Sequence, residues 1–549
     1  MCGIWALFGC DCSDLVKCKE ALKVAHRGPD SFQINNLEGL KNSMVAFHRL
    51  HVVGGIGGMQ PMILKKYPHL TLLCNGEIYN YKTLQNEFDY LFQTDCDCEV
   101  ILHLYNEFGG EKASQLLDGV FAFIVIDTKQ NCVMLSRDSY GVRPLYYVTT
   151  KSGVLGACSE VKGLCELPVE GDIRHFPPGH YMFCDIMKNG KVIPSTPTKF
   201  HRIDEPPAHL QYQRLELEHG TILLFLLPGL EEETVKRNIR YLFSRAVDKR
   251  LMGSRRVGCL LSGGLDSSVV AALTAQKLKE HGVAEPLQTF TIGMNSDSTD
   301  AIAARKVARH IGSEHHEIAF TLEEGIKAVE SVILSLETYD VLVIQSSVPM
   351  YILCQYISRN TDNILIMTGE GADEVAQGYF HFLEQPTPED GHKESMRQLQ
   401  QIYMYDVLRI DRCTAAHGLE IRAPFLDHAF TSYYLNLPAD MRAPKNGIEK
   451  YFLRAAFAGS NLIPNTTLWR KKEGFSIGVS EEGTSWFEQL QQHLEGLITN
   501  DEFARASQSY THNPRTKEEL FYRQIFEKKF GSKLDRICTY QRRPKWAQA

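Results

Sequence analysis

The sequence predicts two domains of different class: an α+β domain over residues 2–200 and an α/β domain over 233–549, joined by a linker at 201–232. Three observations lead there. A chain of 549 residues is too long for one hydrophobic core. Up to about residue 200, short apolar runs alternate with Gly, Pro, Asn and Asp, the pattern of layered antiparallel sheets with some helix. From Glu233 onward helical periodicity dominates, interrupted by short apolar runs, as in a parallel sheet covered by helices.

In the first domain the runs Met44–His48, Leu70–Cys74, Val120–Asp127, Cys132–Ser136 and Leu145–Val148 read as strands, with helix around Lys17–Ala25 and Val100–Phe108. Glu205-Pro206-Pro207 and the polar stretch to Gly220 read as linker, and Ile222–Leu227 as a short buried segment. In the second domain Val257–Leu261, Leu287–Ile292 and Ile364–Met367 read as parallel strands.

Composition narrows the classes of function. A net charge of -7 gives no electrostatic footprint for nucleic acid or an anionic membrane. No apolar run approaches the ~20 residues a spanning helix needs. Gly3–Gly9 lacks the basic start of a secretory signal, so a cytosolic location is expected. The 15 cysteines are odd in number and scattered, which suits reduced thiols. Cys10/Cys12 and Cys96/Cys98 have CxC spacing, but no second pair with a matching His or Cys loop follows, which argues against metal. His310, His315 and His316 read as a helix end and a strand start rather than as ligands.

The start Met1-Cys2-Gly3-Ile4 suggests loss of the methionine, because Cys is small enough for processing. Thiol and free α-amine would then share one residue, and the amine can activate the thiol. Acyl transfer also needs donors aimed at an oxyanion, which Asn75-Gly76 could supply, although Asn-Gly by itself most simply marks a hairpin turn. Context decides between them. Cys2-Gly3-Ile4, His26-Arg27-Gly28-Pro29-Asp30, His48-Arg49-Leu50, Asn75-Gly76-Glu77-Ile78-Tyr79-Asn80 and Arg137-Asp138 to Leu145 follow in order. Together they resemble the class II, N-terminal-nucleophile glutamine amidotransferase domain. The resemblance implies that Cys2 is the nucleophile, that Asn75 and Gly76 form the oxyanion hole, that Arg49 grips the glutamine α-carboxylate, and that Glu77 and Asp97 hold its α-ammonium. Arg27 and Asp30 need do no more than shape a turn. Where relatives carry an acidic residue, this chain has Gly54-Gly55, which predicts a looser loop.

In the second domain Ser262-Gly263-Gly264-Leu265-Asp266-Ser267-Ser268 follows a strand and opens a helix. Such a turn aims N–H groups and the positive end of the helix dipole at an anion. It has no Walker lysine and no GxGxxG, so it is neither a kinase-type P-loop nor a dinucleotide fold. Gln288–Gly293 reads as a strand end that contacts adenine. Thr368-Gly369-Glu370-Gly371-Ala372-Asp373-Glu374 sets three carboxylates among small residues, a donor set suited to Mg²⁺ beside a triphosphate. With Glu337–Asp340, Glu420–Asp427, Asn446–Lys450 and Leu468-Trp469-Arg470, these features resemble the ATP-pyrophosphatase domain of glutamine-dependent asparagine synthetases, over nearly the whole chain.

That resemblance implies glutamine, aspartate and ATP as substrates and Mg²⁺ as cofactor. Leu261, Ser262, Gly263, Gly264, Asp266, Ser267, Ile292, Gly369 and Glu370 would bind ATP, and Asp266 and Asp373 would hold the metal. Lys450 would neutralise the triphosphate in the transition state, and Glu337 would act as base toward ammonia. Ammonia must travel unprotonated, which implies an apolar passage. A homodimer is carried as an expectation. In this second domain four positions depart from the family pattern: Leu342, Gln345, Ala372 and Ile477. Losing one charged contact made only in a transition state costs about 2–4 kcal/mol. Three readings follow: a working asparagine synthetase, a paralogue with glutaminase activity but weak or altered synthetase activity, and a non-enzymatic ATP- or glutamine-binding scaffold. Intact Cys2 and Asp266 argue against the last.

Overall fold

The computed structural model describes residues 1–212, 231–295, 297–472, 474, 478–479, 485–510, 513–531, 534–538 and 544–547. The chain forms two compact units. One comprises Met1–Arg255, Glu389–Tyr403 and Phe425–Met441, and the other Arg256–Pro388, Met404–Pro424 and Arg442–Ala549.

The first unit is built from two antiparallel sheets. One has the order β2-β3-β1-β8-β7-β9, from Ser31–Asn36, Met44–Arg49, Gly3–Phe8, Leu155–Cys158, Tyr146–Thr149 and Arg174–His175. The other has the order β11-β10-β6-β5-β4, from Val192–Pro194, His180–Ile186, Cys132–Arg137, Gly119–Asp127 and Leu70–Ile78, with β12 (Thr198–Lys199) on β10. Period-2 alternation explains the layering. Ile4, Ala6 and Phe8 of β1 face Leu73 of β4, Ala122, Ile124 and Ile126 of β5, and Val133 and Leu135 of β6 in one shared core. The opposite faces of β4 and β5 carry Leu70, Leu72, Cys74, Phe121, Phe123 and Val125, which pack with Val100, Ile101, Leu104 and Tyr105 of helix α3 (Glu99–Leu116). The helix α1 (Asp14–Leu22) opens on a Ser13 cap, and its Ala21 carbonyl bonds the His48 ring at 2.9 Å. The α2 helix (Tyr81–Glu87) follows β4. This is the predicted layered α+β architecture.

Within the expected linker, residues 213–230, including Ile222–Leu227, lie outside the described residues. His209, in the part that is described, is buried 2.9 Å from the His428 ring. The α4 helix (Glu232–Lys249) belongs to the first unit, where Phe243 packs on Phe425 and Phe430.

The second unit holds a five-stranded, all-parallel sheet in the order β15-β14-β13-β16-β17, from Glu314–Ala319, Gln288–Gly293, Arg256–Leu260, Asn363–Met367 and Glu420–Arg422. The three expected strands are present. His310 lies at the end of α6 (Thr299–Ile311), and His315 and His316 near the start of β15, as predicted. The α5 helix (Leu265–Glu280) follows β13; α7 (Leu322–Leu336) and α8 (Val341–Asn360) precede β16. The membrane expectation needs a correction. Among the described residues, Val341–Asn360 is long and apolar enough to span, with a mean hydropathy of 1.4. Its Val343, Ile344, Val348, Leu353 and Ile357 are buried within the unit, as in the core helix of a globular domain.

Strand order locates the site. β13, first in the unit's sequence, has β14 on one side and β16 on the other. The strands stay parallel, but the order in which they are added reverses between β13 and β16, and in such sheets ligands settle beyond the carboxyl ends at that switch point. The two loops leaving there are Ser262–Ser267 and Thr368–Gly371.

Candidate functional site

Cys2 stands just before β1 and packs against the inter-sheet core. Its carbonyl accepts a hydrogen bond from Arg27 Nε at 3.0 Å. Arg27 is fully buried and paired through Nη1 with Glu160 Oε1 at 2.7 Å, as a buried guanidinium must be. Arg27 therefore does more than shape a turn: it fixes the backbone of Cys2. Glu160 is 133 residues away in sequence, so nothing local announces it. Asp30 Oδ2 accepts from His51 N at 2.7 Å and ties the same segment to the residues after β3. The Cys2 thiol points to Leu50 O at 3.7 Å.

Asn75-Gly76 is not a turn. Both residues lie inside β4, opposite Ala122 and Phe121 of β5. A Cβ on Gly76 would stand 2.3 Å from Val120 O, so the strand crossing requires glycine. Phe121 spends its own N–H and C=O on Asp138, at 3.2 and 2.8 Å, so the antiparallel alternation turns Gly76 N–H off the free edge of the sheet. Its neighbours of the same parity point there too. Cys74 N donates to Gln60 Oε1 at 2.5 Å, and Ile78 N donates to Asp97 Oδ2 at 2.6 Å. The Asn75 side chain shares the inter-sheet face with Leu73, whose core cluster Cys2 also packs against, and is 1% exposed. Neither its amide nitrogen nor its oxygen has a hydrogen-bond partner, a burial cost of about 1–3 kcal/mol that a ligand would relieve.

Arg49 ends β3, and its Nη2 donates to Val53 O at 3.3 Å. Gly54 has φ +84°, and a Cβ there would lie 2.7 Å from Cys96 Cα; one on Gly58 would lie 2.7 Å from Arg49 Nη2. The loop expected to be loose is thus drawn tightly onto Arg49 and Cys96 at these two glycines, while Gly55 faces open space. Glu77 and Asp97 are both buried. Arg137 and Asp138 act as a clasp. The Asp138 carboxylate accepts from the amides of Phe121, Tyr140, Val142 and Arg143, and Arg137 donates to the carbonyls of Gly141, Arg143 and Phe176.

In the second unit the loop after β13 is folded on itself by Ser262 Oγ and Ser267 Oγ, 3.1 Å apart, with Gly264 N 3.4 Å from Ser262 Oγ. Gly263 has φ +72°, and a Cβ there would strike Ala304 N at 2.3 Å. A Cβ on Gly369 would strike Ser267 N at 2.7 Å, so the two switch-point loops touch through that glycine. Leu261 and Ile292 are buried at the ends of β13 and β14. The Lys450 ammonium pairs with Asp266 Oδ2 and lies 2.5 Å from Asp373 Oδ1; Lys472 takes Asp373 Oδ2 at 2.6 Å. Burial works against charge at Asp373, yet Lys450 and Lys472 hold its carboxyl below the usual carboxylate range. Asp266 Oδ1 is buried without a hydrogen-bond partner. Sequence reading missed Lys472, two residues beyond Leu468-Trp469-Arg470.

The three carboxylates of the acidic loop do not act together. Only Asp373 shares a cation with Asp266. Glu370 pairs with Arg409 at 2.9 Å, and Glu374 accepts from Tyr379 at 2.6 Å. Burial, with Asp406 and Asp373 nearby, pushes Glu374 well above the usual carboxylate range. Glu337 caps α7 with φ +59°, and its carboxylate pairs with Arg412 at 3.0 Å. Gln345 is buried, its Nε2 donating to Glu518, while Leu342 is half exposed. Ala372 is buried at the start of the short helix α9 (Ala372–Ala376). Ile477 lies outside the described residues.

Comparison with known proteins matches a family model to each half of the chain. The glutamine amidotransferase domain family matches residues 1–209, and the asparagine synthase family matches 238–391 and 383–548. The chain is 51% identical over 554 aligned positions to the glutamine-hydrolysing asparagine synthetases of Mus musculus and Homo sapiens, covering 100% of this chain and 97% of each relative. The Gallus gallus protein of the same name is also 51% identical with the same coverage. With both halves matched in order and the whole length aligned, the chain belongs to the family of glutamine-hydrolysing asparagine synthetases, which are ligases.

Proposed function

We propose that this member of the family makes asparagine from aspartate by dividing the reaction between the two sites, with the following residue roles. Once Met1 is removed, the Cys2 α-amine takes the thiol proton and the thiolate attacks the glutamine carboxamide. Asn75 Nδ2 and Gly76 N–H receive the oxyanion, where preorganised donors act most strongly. Arg49 holds the α-carboxylate, and Glu77 and Asp97 hold the α-ammonium. Ammonia leaves with the proton returned by the amine, and water releases glutamate from the thioester.

At the second site Ser262, Gly263, Gly264 and Ser267 cradle the pyrophosphate end of ATP at the start of α5. Leu261, Ile292, Gly369 and Glu370 line the rest of the nucleotide site. The aspartate β-carboxylate attacks the α-phosphorus and pyrophosphate leaves. Ammonia then attacks β-aspartyl-AMP, AMP leaves, and Glu337 accepts the surplus proton. Lys450 stabilises charge on the departing pyrophosphate. Asp266 and Asp373 fit Mg²⁺, being oxygen donors on facing loops with Asp266 Oδ1 unpartnered, and the ion would screen phosphate charge.

The observation that carries this reading is Lys450 shared between Asp266 and Asp373, which lie just beyond the two strands of the switch point. Purified protein given ATP, Mg²⁺ and aspartate should form equal asparagine and pyrophosphate with either glutamine or ammonia. Glutamate without pyrophosphate would favour the paralogue reading, for which the neutral Gln345 speaks. Neither product would sink both. A cytosolic homodimer without nucleic-acid or membrane partners completes the proposal, open to fractionation and sedimentation.

A further inference from the structure

Behind the glutamine site, on the far face of β4, three thiols meet. Cys74 comes from the strand, and Cys96 and Cys98 from the segment leading into α3. All three are buried in the same hydrophobic core cluster. The residue between the paired cysteines is Asp97. Cys96 Sγ is 3.8 Å from Asp97 Oδ1, and the donor atoms of Cys96, Asp97 and Cys98 all lie within 4.8 Å of one another. Tetrahedral Zn²⁺ with bonds of about 2.3 Å to sulfur and about 2.0 Å to oxygen needs ligand–ligand edges of roughly 3.5–3.8 Å. Small side-chain rotations close that gap for Cys96, Asp97 and Cys98, and Cys74 approaches from the core cluster it shares with the two cysteines. The chain spacing showed only the Cys96/Cys98 pair here; Cys74 is 22 residues before Cys96 in sequence and arrives through the sheet.

Buried cysteines commonly serve as small apolar fillers. A filler has no use for two sulfur neighbours and a carboxylate, whereas three sulfurs and one oxygen are a donor set that selects thiophilic cations. We propose that Cys74, Cys96 and Cys98, with Asp97 as oxygen ligand, bind a divalent cation of the zinc class and that its binding turns down glutamine use. Each coordinating thiol surrenders its proton to solvent. Coordination claims Asp97 Oδ1, drawing off the carboxylate assigned to the substrate α-ammonium, and clamps Cys98 against the Gly76 carbonyl that its thiol already meets at 3.8 Å.

Inhibition rests on the glutamine-site assignment above, whereas coordination can be read without any activity. Co²⁺ added to the full-length, reduced protein should give thiolate charge-transfer absorption and tetrahedral visible bands. These should survive Cys2→Ala and vanish in Cys98→Ser. Zn²⁺ should depress glutamine-dependent asparagine formation while sparing the ammonia-dependent reaction, and Cys98→Ser and Cys74→Ala should each need about tenfold more Zn²⁺ or beyond. Cobalt bands that persist in Cys98→Ser, or that disappear with Cys2→Ala, would overturn the site. Cobalt bands without selective Zn²⁺ inhibition would overturn its regulatory role. A Cys74–Cys98 disulfide forming under metal-free oxidation, with no cobalt spectrum in the reduced protein, would replace it with a redox contact.

Discussion

Gln345 Nε2 donates to Glu518 Oε1 at 2.9 Å, joining α8 to the helix Lys517–Phe530 inside the second unit. The same carboxylate accepts from Gln491 Nε2 at 2.7 Å and Tyr522 OH at 2.9 Å, and Trp486 Nε1 donates to Gln345 O at 3.1 Å. Gln345 is thus part of a buried polar knot. Gln345→Leu should lower stability by about 1–3 kcal/mol, because Glu518 loses a donor without regaining water. Gln345→Arg should fold normally and pair with Glu518. Thermal melts check the first; for the second, pyrophosphate release staying within about threefold of the parent fits a guanidinium captured by Glu518, and a large rise would restore the phosphate contact suggested by the sequence.

Asn75→Ala should reduce glutamine hydrolysis by roughly 10²–10³-fold in kcat, the usual cost of one oxyanion donor, and leave KM little changed. Ammonia-dependent synthesis should be unaffected. A loss confined to KM would show Asn75 gripping ground-state substrate instead.

Lys450→Ala should cut ammonia-dependent pyrophosphate release by roughly 30- to 1000-fold, about 2–4 kcal/mol. Glutaminase turnover without ATP should stay within about twofold. Equal damage to both halves would mean that Lys450 supports folding rather than phosphate chemistry.

Cys2→Ala should abolish asparagine formation from glutamine and retain it from ammonia. Persistence of the glutamine reaction would remove Cys2 as nucleophile.

In the first unit, His209 and His428 lie together beside Asp118, which bonds Lys249 at 2.6 Å. Burial pushes His209 down to about 4 and His428 to about 3. Both stay neutral when folded, while the unfolded chain takes up protons near pH 6.5. Stability is therefore complete above about pH 6.5 and drains away as the pH falls toward 4, by up to about 2 kcal/mol per histidine at pH 5. Melting temperatures between pH 7.5 and 5 should fall, and His209→Gln should flatten the slope. An unchanged slope would place the acid sensitivity elsewhere.

Local pattern made the sheets readable: Val120–Asp127 and Ile364–Met367 announce themselves by apolar content and length. Contiguous motifs such as Ser262–Ser267 also stand out, since a glycine loop that opens a helix is written in adjacent residues. What stayed hidden is nonlocal. Glu160 beneath Arg27, Cys74 beside Cys98 and Glu518 beside Gln345 are neighbours only because distant segments fold together. Asn75-Gly76 misleads for the opposite reason. Its dipeptide favours a turn, but the crossing of β4 against Val120 overrides that preference and uses glycine for its missing side chain.

Lys450 and Lys472 set two ammonium groups against the carboxylates of Asp266 and Asp373, so the mouth of the parallel sheet rests electrically balanced. A nucleoside triphosphate that arrives with one divalent cation is only about half neutralised. Under the proposed assignment, docking would be a change of partners, in which the ammonium groups turn from carboxylate to phosphate and the carboxylates to the cation. Such a swap starts from a site with no surplus of positive charge, so nucleotide affinity should respond less steeply to added salt than in a basic cleft that waits for an anion.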